Sequence, residues 1–403
     1  MQLRNTIIAA GFLVSALFSM GPTSALAEGN EGNQVVGSHS NRLIALKTKE
    51  KVQSLPRFTY DSGLIFQYPD AVRGVYVTGH SAGGSKFNKL LGLMDSTDLN
   101  AMVIDIKDDW GNITYKPEPN SPYAGIGQNF IKDPKAMLKT LEKKQVYPIA
   151  RVVVFKDSIL ANKKPEWSYR EGNTVWKNGR GESFVNPFLK EVWDYNIGIA
   201  IEAAKMGFQE VQFDYVRFPE GFEKRDQTLT YSMGDYEKRS EDNIQKRVSA
   251  VTDFVAYARE KLKPYGVKVS VDIFGYTATL PEAPGIGQNF SKISENVDVI
   301  SSMIYPSHWT SYFGIAKPDV EPYKLVTEYV KVEKLKLAQL QTPPISRPWL
   351  QDFTASWLGK GNYKKYGKAE VEAQIKALND QGIKEYLLWN AGNSYTSNVD
   401  YTP

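Results

Sequence analysis

The sequence predicts an α/β fold, specifically a (β/α)8 TIM barrel with enlarged βα loops and an irregular N-terminal extension. From Arg73 onward, apolar β-type runs alternate with amphipathic or Lys/Glu-rich segments. There are enough of these runs to close an eight-stranded parallel barrel covered by helices. Several of the runs end in carboxylate residues, and barrel enzymes carry their active sites at the carboxyl ends of their strands.

The predicted strands and helices follow one another in regular order along the chain. The strands are Gly74–Thr78, Ala101–Ile106, Tyr147–Val154, Glu210–Val216, Val267–Ile273, Val297–Ile304, Arg347–Phe353 and Glu385–Asn390. The helices are Ser85–Met94, Pro134–Lys144, Pro187–Lys205, Asp242–Leu262, Lys324–Lys336 and Ala369–Asp380. An open, doubly wound sheet is the weaker alternative, because no dinucleotide-binding fingerprint follows the first strand. The chain ends soon after the last strand, so an eighth outer helix is expected to be missing or replaced, with the N-terminal segment as the candidate replacement.

The N-terminal part of the chain predicts export. Residues 1–27 have the pattern of a signal peptide: a basic start at Arg4, an apolar run over Ile7–Phe18, and small residues at Ala25-Leu-Ala27. The apolar run is too short to serve comfortably as a membrane span, so stable membrane insertion after cleavage is not expected. We therefore predict a secreted or cell-envelope-associated protein. Residues 28–69 are interpreted as a polar linker and N-terminal extension, with a candidate short helix around Leu43–Val52, and residues 70–403 as a catalytic domain.

Composition argues against several classes of partner. Lys and Arg total 49 and Asp and Glu total 45, so the net charge is only +4 and no nucleic-acid partner is expected. The chain has no Cys and 3 His, which makes a zinc site of the usual type improbable. An oxygen-rich calcium site in the loop Asp105–Asp109 stays open, although the spacing is not that of an EF-hand. The sequence thus predicts no cofactor and no metal site, and it does not fix the oligomeric state.

Acids at strand ends are the candidate catalytic residues: Asp105, Asp214, Asp272 and Asp352. Side chains alternate along a strand, so Asp214 shares a face with Gln212 and the acid of the fifth strand shares one with Ser270. A carboxylate within an apolar strand is costly to bury without a partner. The alternative for each single acid is a hydrogen bond to loop backbone at the barrel rim.

Paired carboxylates indicate glycoside hydrolysis, in which one acid stays ionised while the other donates a proton to the leaving oxygen. Asp214 is the predicted nucleophile or charge stabiliser, and Asp272 is the predicted acid/base. Asp105 and Asp352 are held in reserve, and either could replace Asp272 as the proton donor.

The segment Gly79-His-Ser-Ala-Gly83 matches the nucleophile-elbow pattern of serine hydrolases. It lies on the first strand, where no preceding strands could build a hydrolase sheet. The favoured interpretation is a Gly-rich loop in which Ser81 or Ser85 caps a helix. A serine esterase is therefore a minor alternative.

Polar and aromatic residues near the strand ends are the candidate substrate-binding residues. Stacking of aromatic faces on sugar rings, with polar hydrogen bonds, suits an oligosaccharide cleft. The long loop between Phe155 and Phe184, with Trp167, Tyr169 and Trp176, has the composition of a substrate-covering insertion. The predicted binding residues are Trp110, Arg217, Tyr305, His308, Trp309, Gln351, Trp389 and Asn390.

An ordered set of motifs resembles the putative glycosyl hydrolase domain family, a bacterial group within the TIM-barrel glycosidase superfamily. The resemblance covers roughly residues 70–395 and implies a barrel and a carbohydrate substrate, without an agreed pair of catalytic residues. The motifs are Arg73-Gly-Val-Tyr-Val-Thr-Gly79, Val103-Ile-Asp-Ile-Lys-Asp108, Gln212-Phe-Asp-Tyr-Val-Arg-Phe-Pro219, Asp298-Val-Ile-Ser-Ser-Met-Ile-Tyr-Pro306 and Arg347-Pro-Trp-Leu-Gln-Asp352.

The chain is similar, more distantly, to α-amylase-type barrels. In those enzymes an Arg lies two residues before the Asp of strand four, where this chain has Gln212, and strand five ends in a Glu, where this chain has Asp272. The predicted function is therefore an exported glycoside hydrolase that cleaves a polysaccharide or oligosaccharide by a two-carboxylate mechanism. The alternative is a barrel that binds cell-wall glycans without cleaving them.

Overall fold

The structure of the chain is a computed structural model that describes residues 33–39, 42–47 and 59–402. The predicted signal peptide at residues 1–27 lies outside the described residues. The chain divides into two units, Met1–Arg57 and Phe58–Pro403. In the first unit, strands Asn33–His39 and Arg42–Lys47 form an antiparallel hairpin. The helix expected from Leu43 is thus wrong over residues 43–47, because this stretch pairs its backbone with the preceding strand.

The second unit is a closed parallel barrel, as predicted. Each strand pairs in parallel with its neighbours, and β8 pairs with β1 to close the ring, with Leu388 opposite Val75. Pro348 lacks a backbone N–H and separates β7 from a short preceding strand, Ile345–Ser346. The barrel strands are β1 (Arg73–Val77), β2 (Ala101–Lys107), β3 (Tyr147–Val153), β4 (Glu210–Asp214), β5 (Lys268–Phe274), β6 (Val299–Met303), β7 (Trp349–Gln351) and β8 (Tyr386–Trp389).

Helices follow the first seven strands and cover the outside of the barrel. The six predicted helices are present, and the short α5 was not predicted. None of the helices in the described ranges is both long and apolar enough to cross a membrane. The helices are α1 (Lys86–Ser96), α2 (Pro134–Lys144), α3 (Lys190–Met206), α4 (Asn243–Leu262), α5 (Phe290–Ser294), α6 (Pro322–Leu337) and α7 (Lys368–Asp380). The βα loops carry smaller elements, among them helices Gly79–Ala82, Ser158–Lys163 and Tyr276–Thr279 and strands Ile113–Tyr115 and Gly127–Ile131.

Alternation along the strands sorts side chains between two buried regions. On β4, Val211 and Phe213 point outward into the core between strands and helices. The residues between and after them, Gln212 and Asp214, therefore point into the barrel, as the predicted shared face requires. A smaller apolar cluster fills the barrel interior and includes Trp349. The barrel axis is thus lined by polar and charged side chains above and below an aromatic and aliphatic layer.

The C-terminal tail takes the place of an eighth helix. Tyr401 is buried, and its carbonyl accepts a hydrogen bond of 2.8 Å from the Tyr386 hydroxyl of β8. The tail also contacts α7, where the backbone N–H of Asp400 donates to Glu372. Within the second unit, this irregular C-terminal tail covers β8 in place of the segment before β1 that was expected there.

The segment that precedes β1 in the second unit, residues 59–72, contacts the amino ends of the strands through Tyr68. The Tyr68 hydroxyl donates to Glu385 over 2.8 Å and accepts from Arg347 over 2.9 Å. Arg347 is fully buried and also donates to Glu210 at the start of β4 over 2.7 Å. This cluster closes the amino end of the barrel interior, so the opposite end is the one open to a ligand.

Candidate active site

A cavity of about 610 Å³ opens at the carboxyl ends of the strands. Strands β3 to β8 each contribute a lining side chain, so the site is built on the rigid barrel rather than on one loop. These side chains are Arg151, Asp214, Asp272, Met303, Trp349 and Trp389.

Asp214 and Asp272 occupy neighbouring positions in this cavity. Phe213 of β4 lies opposite Val271 of β5 in the parallel register, so the next residue on each strand is a carboxylate. Adjacent strands are separated by about 4.8 Å, which brings these two side chains together on the inner face. The structure thus unites the two acids that the sequence analysis placed first.

Asp214 is held as a charged group by a buried arginine. Arg151 donates to its Oδ2 from Nε over 3.0 Å and from Nη2 over 2.6 Å. The backbone N–H of Tyr215 donates to the other oxygen, Oδ1, over 2.6 Å. Both carboxylate oxygens are therefore fixed by donors, and the arginine supplies a charge-assisted pair of hydrogen bonds.

Asp272 has the opposite environment. Its side chain is buried, and one donor, the Trp349 indole N–H, contacts its Oδ1 over 2.7 Å. Burial and the nearby negative charge of Asp214 raise the pKa of Asp272 well above its ordinary value. The two neighbouring carboxyl groups thus differ in environment, since Asp214 has a cationic partner and the raised pKa of Asp272 favours its neutral form.

Arg151, which the sequence analysis missed, is the centre of the charged cluster. Besides Asp214, its guanidinium contacts Asp105 over 2.7 Å and Asp109 over 2.8 Å. It lies within the apolar run Tyr147–Val154, so the reasoning that singled out acids inside apolar strands could have found this lone cation as well. Arg151 therefore forms ion pairs with three carboxylates.

Asp105 does not line the cavity but contacts Arg151, which does. It accepts hydrogen bonds from Arg151 and from the Tyr76 hydroxyl, the latter over 2.6 Å. Burial raises the pKa of Asp105 to about 7, although the charge of Arg151 opposes this shift. Asp109 does line the cavity, and burial alone would raise its pKa, but Arg151 and Lys156 hold that pKa below its ordinary value.

Asp352, the other reserve acid, lies away from the cavity lining. Its oxygens accept from the backbone N–H of Thr396 over 2.9 Å and from the Thr396 hydroxyl over 2.5 Å. Two predicted binding residues nearby make similar local contacts. Gln351 accepts from the backbone N–H of Ser307 over 3.0 Å, and Asn390 donates to the carbonyl of Asp352 over 2.6 Å. These residues fix the loops at the barrel rim.

The remaining predicted binding residues divide into two groups. Trp110 is 54% exposed and does not line the cavity. The other five residues line the cavity. Burial lowers the pKa of the His308 imidazole, which is one of them. This second group is Arg217, Tyr305, His308, Trp309 and Trp389.

Tyr215 is a further lining residue with an unusual backbone. Its φ is 52°, a left-handed value that a bulky side chain rarely adopts. Its ring lies between two cations, 4.7 Å from Lys156 Nζ and 4.9 Å from the Arg217 guanidinium. Such strained residues cluster at functional sites. Here the conformation aims the backbone N–H of Tyr215 at Asp214.

The long loop after β3 contributes less to the cavity than its composition indicates. Tyr169 and Trp176 are buried in the core of the protein, and Trp167 packs against that core. Arg180 is the residue of this loop that reaches the cavity lining. The aromatic residues of the loop therefore fix its own fold rather than facing a ligand.

Ser81 has no place in the cavity. The Thr78 hydroxyl donates to its Oγ over 3.1 Å, and Thr78 also caps the short helix that contains it. Ser85 occupies the N-cap position of α1, as one of the two predicted alternatives, but its side chain makes no cap hydrogen bond. The carboxylates of the loop considered for calcium contact protein groups: Asp108 accepts backbone N–H groups, including that of Trp110. Among the described residues no group of three or more acids or histidines is arranged to hold a metal ion.

Comparison with known families and structures identifies the group to which this barrel belongs. The model of the putative glycosyl hydrolase domain matches residues 74–395, which contain all eight barrel strands and the cavity. The chain belongs to this family. This membership assigns it to the glycoside hydrolases, the enzymes that hydrolyse O-glycosyl bonds. No curated protein sequence matches the chain.

Two solved structures share the barrel fold of this member of the putative glycosyl hydrolase domain family. The glycoside hydrolase domain of PgaB (BpsB) from Bordetella bronchiseptica aligns with a TM-score of 0.55 and 16% identity, over 80% of this chain and 95% of that one. A β-galactosidase from the psychrophilic Marinomonas ef1 aligns with a TM-score of 0.50 and 12% identity, over 79% and 54%. A hypothetical protein from Ruminiclostridium thermocellum is 32% identical, over 49% and 96%, with a TM-score of 0.42. The predicted family, TIM-barrel fold and enzyme class are confirmed.

Proposed function

We propose that this glycoside hydrolase cleaves a polysaccharide or oligosaccharide with Asp214 as nucleophile or charge stabiliser and Asp272 as acid/base. The observation that carries the proposal is the contrast between these two neighbours on one cavity wall. Asp214 is paired with Arg151, whereas Asp272 is buried with an indole N–H as its contact. Glycoside hydrolysis needs this division between an ionised and a protonated carboxyl group.

In the proposed mechanism the carboxyl groups of Asp214 and Asp272 have different roles. A sugar bound against Tyr305 and Trp389 would place its anomeric carbon near the Asp214 carboxylate, which stabilises the positive charge that develops there. Protonated Asp272 donates its proton to the glycosidic oxygen as the C–O bond breaks. The same group then takes a proton from the water that completes hydrolysis, and so returns to its starting state.

The test compares Asp214→Asn and Asp272→Asn on a glycan panel and on an aryl glycoside with a good leaving group. Loss of a positioned acid or nucleophile should lower kcat/KM on glycans by roughly 100- to 10,000-fold. Asp272→Asn should still release the aryl group quickly in the first turnover, because this leaving group needs no proton donor, but later turnovers should be slow because the water has lost its base. Asp214→Asn should lose activity on both substrates.

Asp226→Asn is the control, because Asp226 is partly buried and paired with a buried arginine, Arg247, but does not line the cavity. Its activity should equal that of the wild type. Glycan cleavage that survives both catalytic-site changes would refute the assignment. Glycan binding by the wild type without any product after long incubation would favour the non-catalytic alternative.

We also infer that the protein acts outside the cytoplasm, on a polysaccharide of the exterior or the cell envelope. The support is the signal-peptide pattern of residues 1–27. N-terminal sequencing of the protein from culture medium and cell-envelope fractions should give a mature chain that begins at Glu28. Full-length chain in the cytoplasm alone would contradict export and leave the catalytic proposal untouched.

A further inference from the structure

A track of aromatic side chains leads away from the cavity on the β7 side. Tyr305 lines the cavity, and its ring centroid lies 6.0 Å from that of Phe353. Phe353 stacks on Trp357 with centroids 5.9 Å apart and 20° between the ring planes. Trp357 is 65% exposed. The track therefore joins the cavity to an indole that faces solvent.

The loop that carries Trp357 is held in place on both sides of it. The backbone N–H of Tyr366 donates to the Thr354 hydroxyl over 3.0 Å, and the Asn362 amide donates to the Leu358 carbonyl over 3.0 Å. Ala355 is fully buried. The indole is thus presented on an ordered loop with one face covered by Phe353.

A single exposed apolar side chain needs no special explanation. Trp357 differs from such a residue because two ring contacts connect it to the cavity, and because its stacking on Phe353 fixes the orientation of its free face. A flat apolar surface of this kind fits the C–H face of a sugar ring. The occupant that the position favours is another ring of the glycan that fills the cavity.

We propose that Trp357 is a distal sugar-binding subsite, which makes the enzyme selective for extended glycan chains over short ones. The inference rests on the proposed function, since it assumes that the cavity holds a glycan. The substrate class it names is a polysaccharide long enough to lie over Phe353 and Trp357 while one of its bonds is at the Asp214–Asp272 pair.

The experiment measures kcat and KM for wild type, Trp357→Ala and Trp357→Phe on soluble starch, xylan and chitosan, and on size-fractionated fragments and a short aryl glycoside. Trp357→Ala should lower kcat/KM on the longest cleaved chains about 3- to 10-fold, the value of one aromatic stack. The loss should appear in KM, should shrink with chain length and should be absent on the aryl glycoside. Trp357→Phe, which keeps a ring, should be intermediate.

Leu335→Ala is the control, because Leu335 is 68% exposed on α6 and outside the cavity lining. Equal chain-length dependence in wild type and Trp357→Ala would overturn the subsite while glycan hydrolysis stands. If the wild type cleaves none of these glycans, affinity electrophoresis in gels containing each polymer replaces the kinetics. Retardation weakened by Trp357→Ala then supports the subsite, and no retardation of the wild type, or equal retardation of both, overturns it.

Discussion

Two buried arginines lie at opposite ends of the barrel interior, and comparing them shows what distinguishes a structural charge cluster from a catalytic one. Arg347 lies at the amino end and pairs with Glu210 and Glu385. Arg151 lies at the carboxyl end and pairs with Asp214 among other acids. Both guanidinium groups are almost inaccessible to solvent, with side-chain exposures of 0% and 1%. Burial and an acid partner therefore do not mark a catalytic residue by themselves.

The two clusters differ in their access to a ligand. Tyr68 covers the Arg347 cluster from the N-terminal segment. The Arg151 cluster opens on the cavity, where this single cation contacts three carboxylates. An acid that is short of counter-charge and faces a ligand can take up or release a proton during a reaction. Both clusters hold more acids than cations, so the mark of the chemical end of the barrel is that its acids face a cavity.

The largest effect is expected at the structural end. Arg347→Met leaves Glu210 buried without a cation, so the free energy of unfolding should fall by roughly 3–5 kcal/mol. The folded fraction should keep the wild-type kcat, because Arg347 is remote from the cavity. Denaturant unfolding measures the first quantity, and initial rates measure the second.

Arg259→Met provides the control for an exposed pair. Arg259 contacts Asp298 over 2.6 Å, but its side chain is 42% exposed, and such surface pairs contribute roughly 0–1 kcal/mol. If Arg347→Met loses no more stability than this control, the ion pairs at the amino end of the barrel do not stabilise the fold.

A second prediction uses pH to probe the excess of acids at the catalytic end. Burial raises the pKa of Asp105 to about 7, while an unfolded chain has a value of about 3.9. At this site the folded chain therefore binds more protons between these values, and the contribution of Asp105 to wild-type stability falls as the pH rises through this range. Asp105→Asn has no such titration, so its stability relative to wild type should improve by up to about 4 kcal/mol from pH 4 to pH 8. Urea unfolding of both proteins at the two pH values tests this, and a constant difference would contradict the raised pKa.

A third prediction separates charge from geometry at Arg151. Lysine keeps the positive charge but cannot donate from two nitrogens in a fixed fork, so it cannot reproduce the contacts to Asp214 and Asp105 together. Arg151→Lys should lower kcat about 100-fold, equivalent to roughly 2.7 kcal/mol, with a smaller change in KM. Arg247→Lys, at a buried arginine outside the cavity lining, should leave kcat unchanged. Equal kcat in the two variants would reduce Arg151 to a structural residue.

The fold was largely predictable from the sequence because the strands and helices of a parallel barrel each have a recognisable local sequence pattern. Each strand is a short apolar run, and helix α2 begins and ends at the predicted residues, Pro134 and Lys144, between an Asp133 cap and a left-handed Gln145. What failed depended on distant contacts. The C-terminal tail covers β8 through the burial of Tyr401 and its hydrogen bond to Tyr386, and no local sequence pattern predicts these contacts.

The site was predictable in its acids but not in their partners. Asp214 and Asp272 stand out because a carboxylate interrupts an apolar strand. The same reasoning could not separate them from Asp105, because separation needs the register between strands, which sets Asp105 level with Arg151 and Gln212, two residues before Asp214. Trp357 escaped notice for the opposite reason, since a lone aromatic in a loop gains meaning only when Phe353 and Tyr305 are seen beside it.

The smallest effect is expected at Asp352, which the sequence analysis kept as a reserve acid. Its oxygens accept from the backbone N–H and hydroxyl of Thr396, and it does not line the cavity. Asp352→Asn keeps the shape but exchanges one acceptor for a donor, so stability should fall by about 1–2 kcal/mol while kcat stays within about twofold of wild type. Thermal unfolding and initial rates on the same glycan give both values. A rate loss as large as that of Asp214→Asn would return Asp352 to the catalytic group and would mean that facing the cavity is not what locates the chemistry.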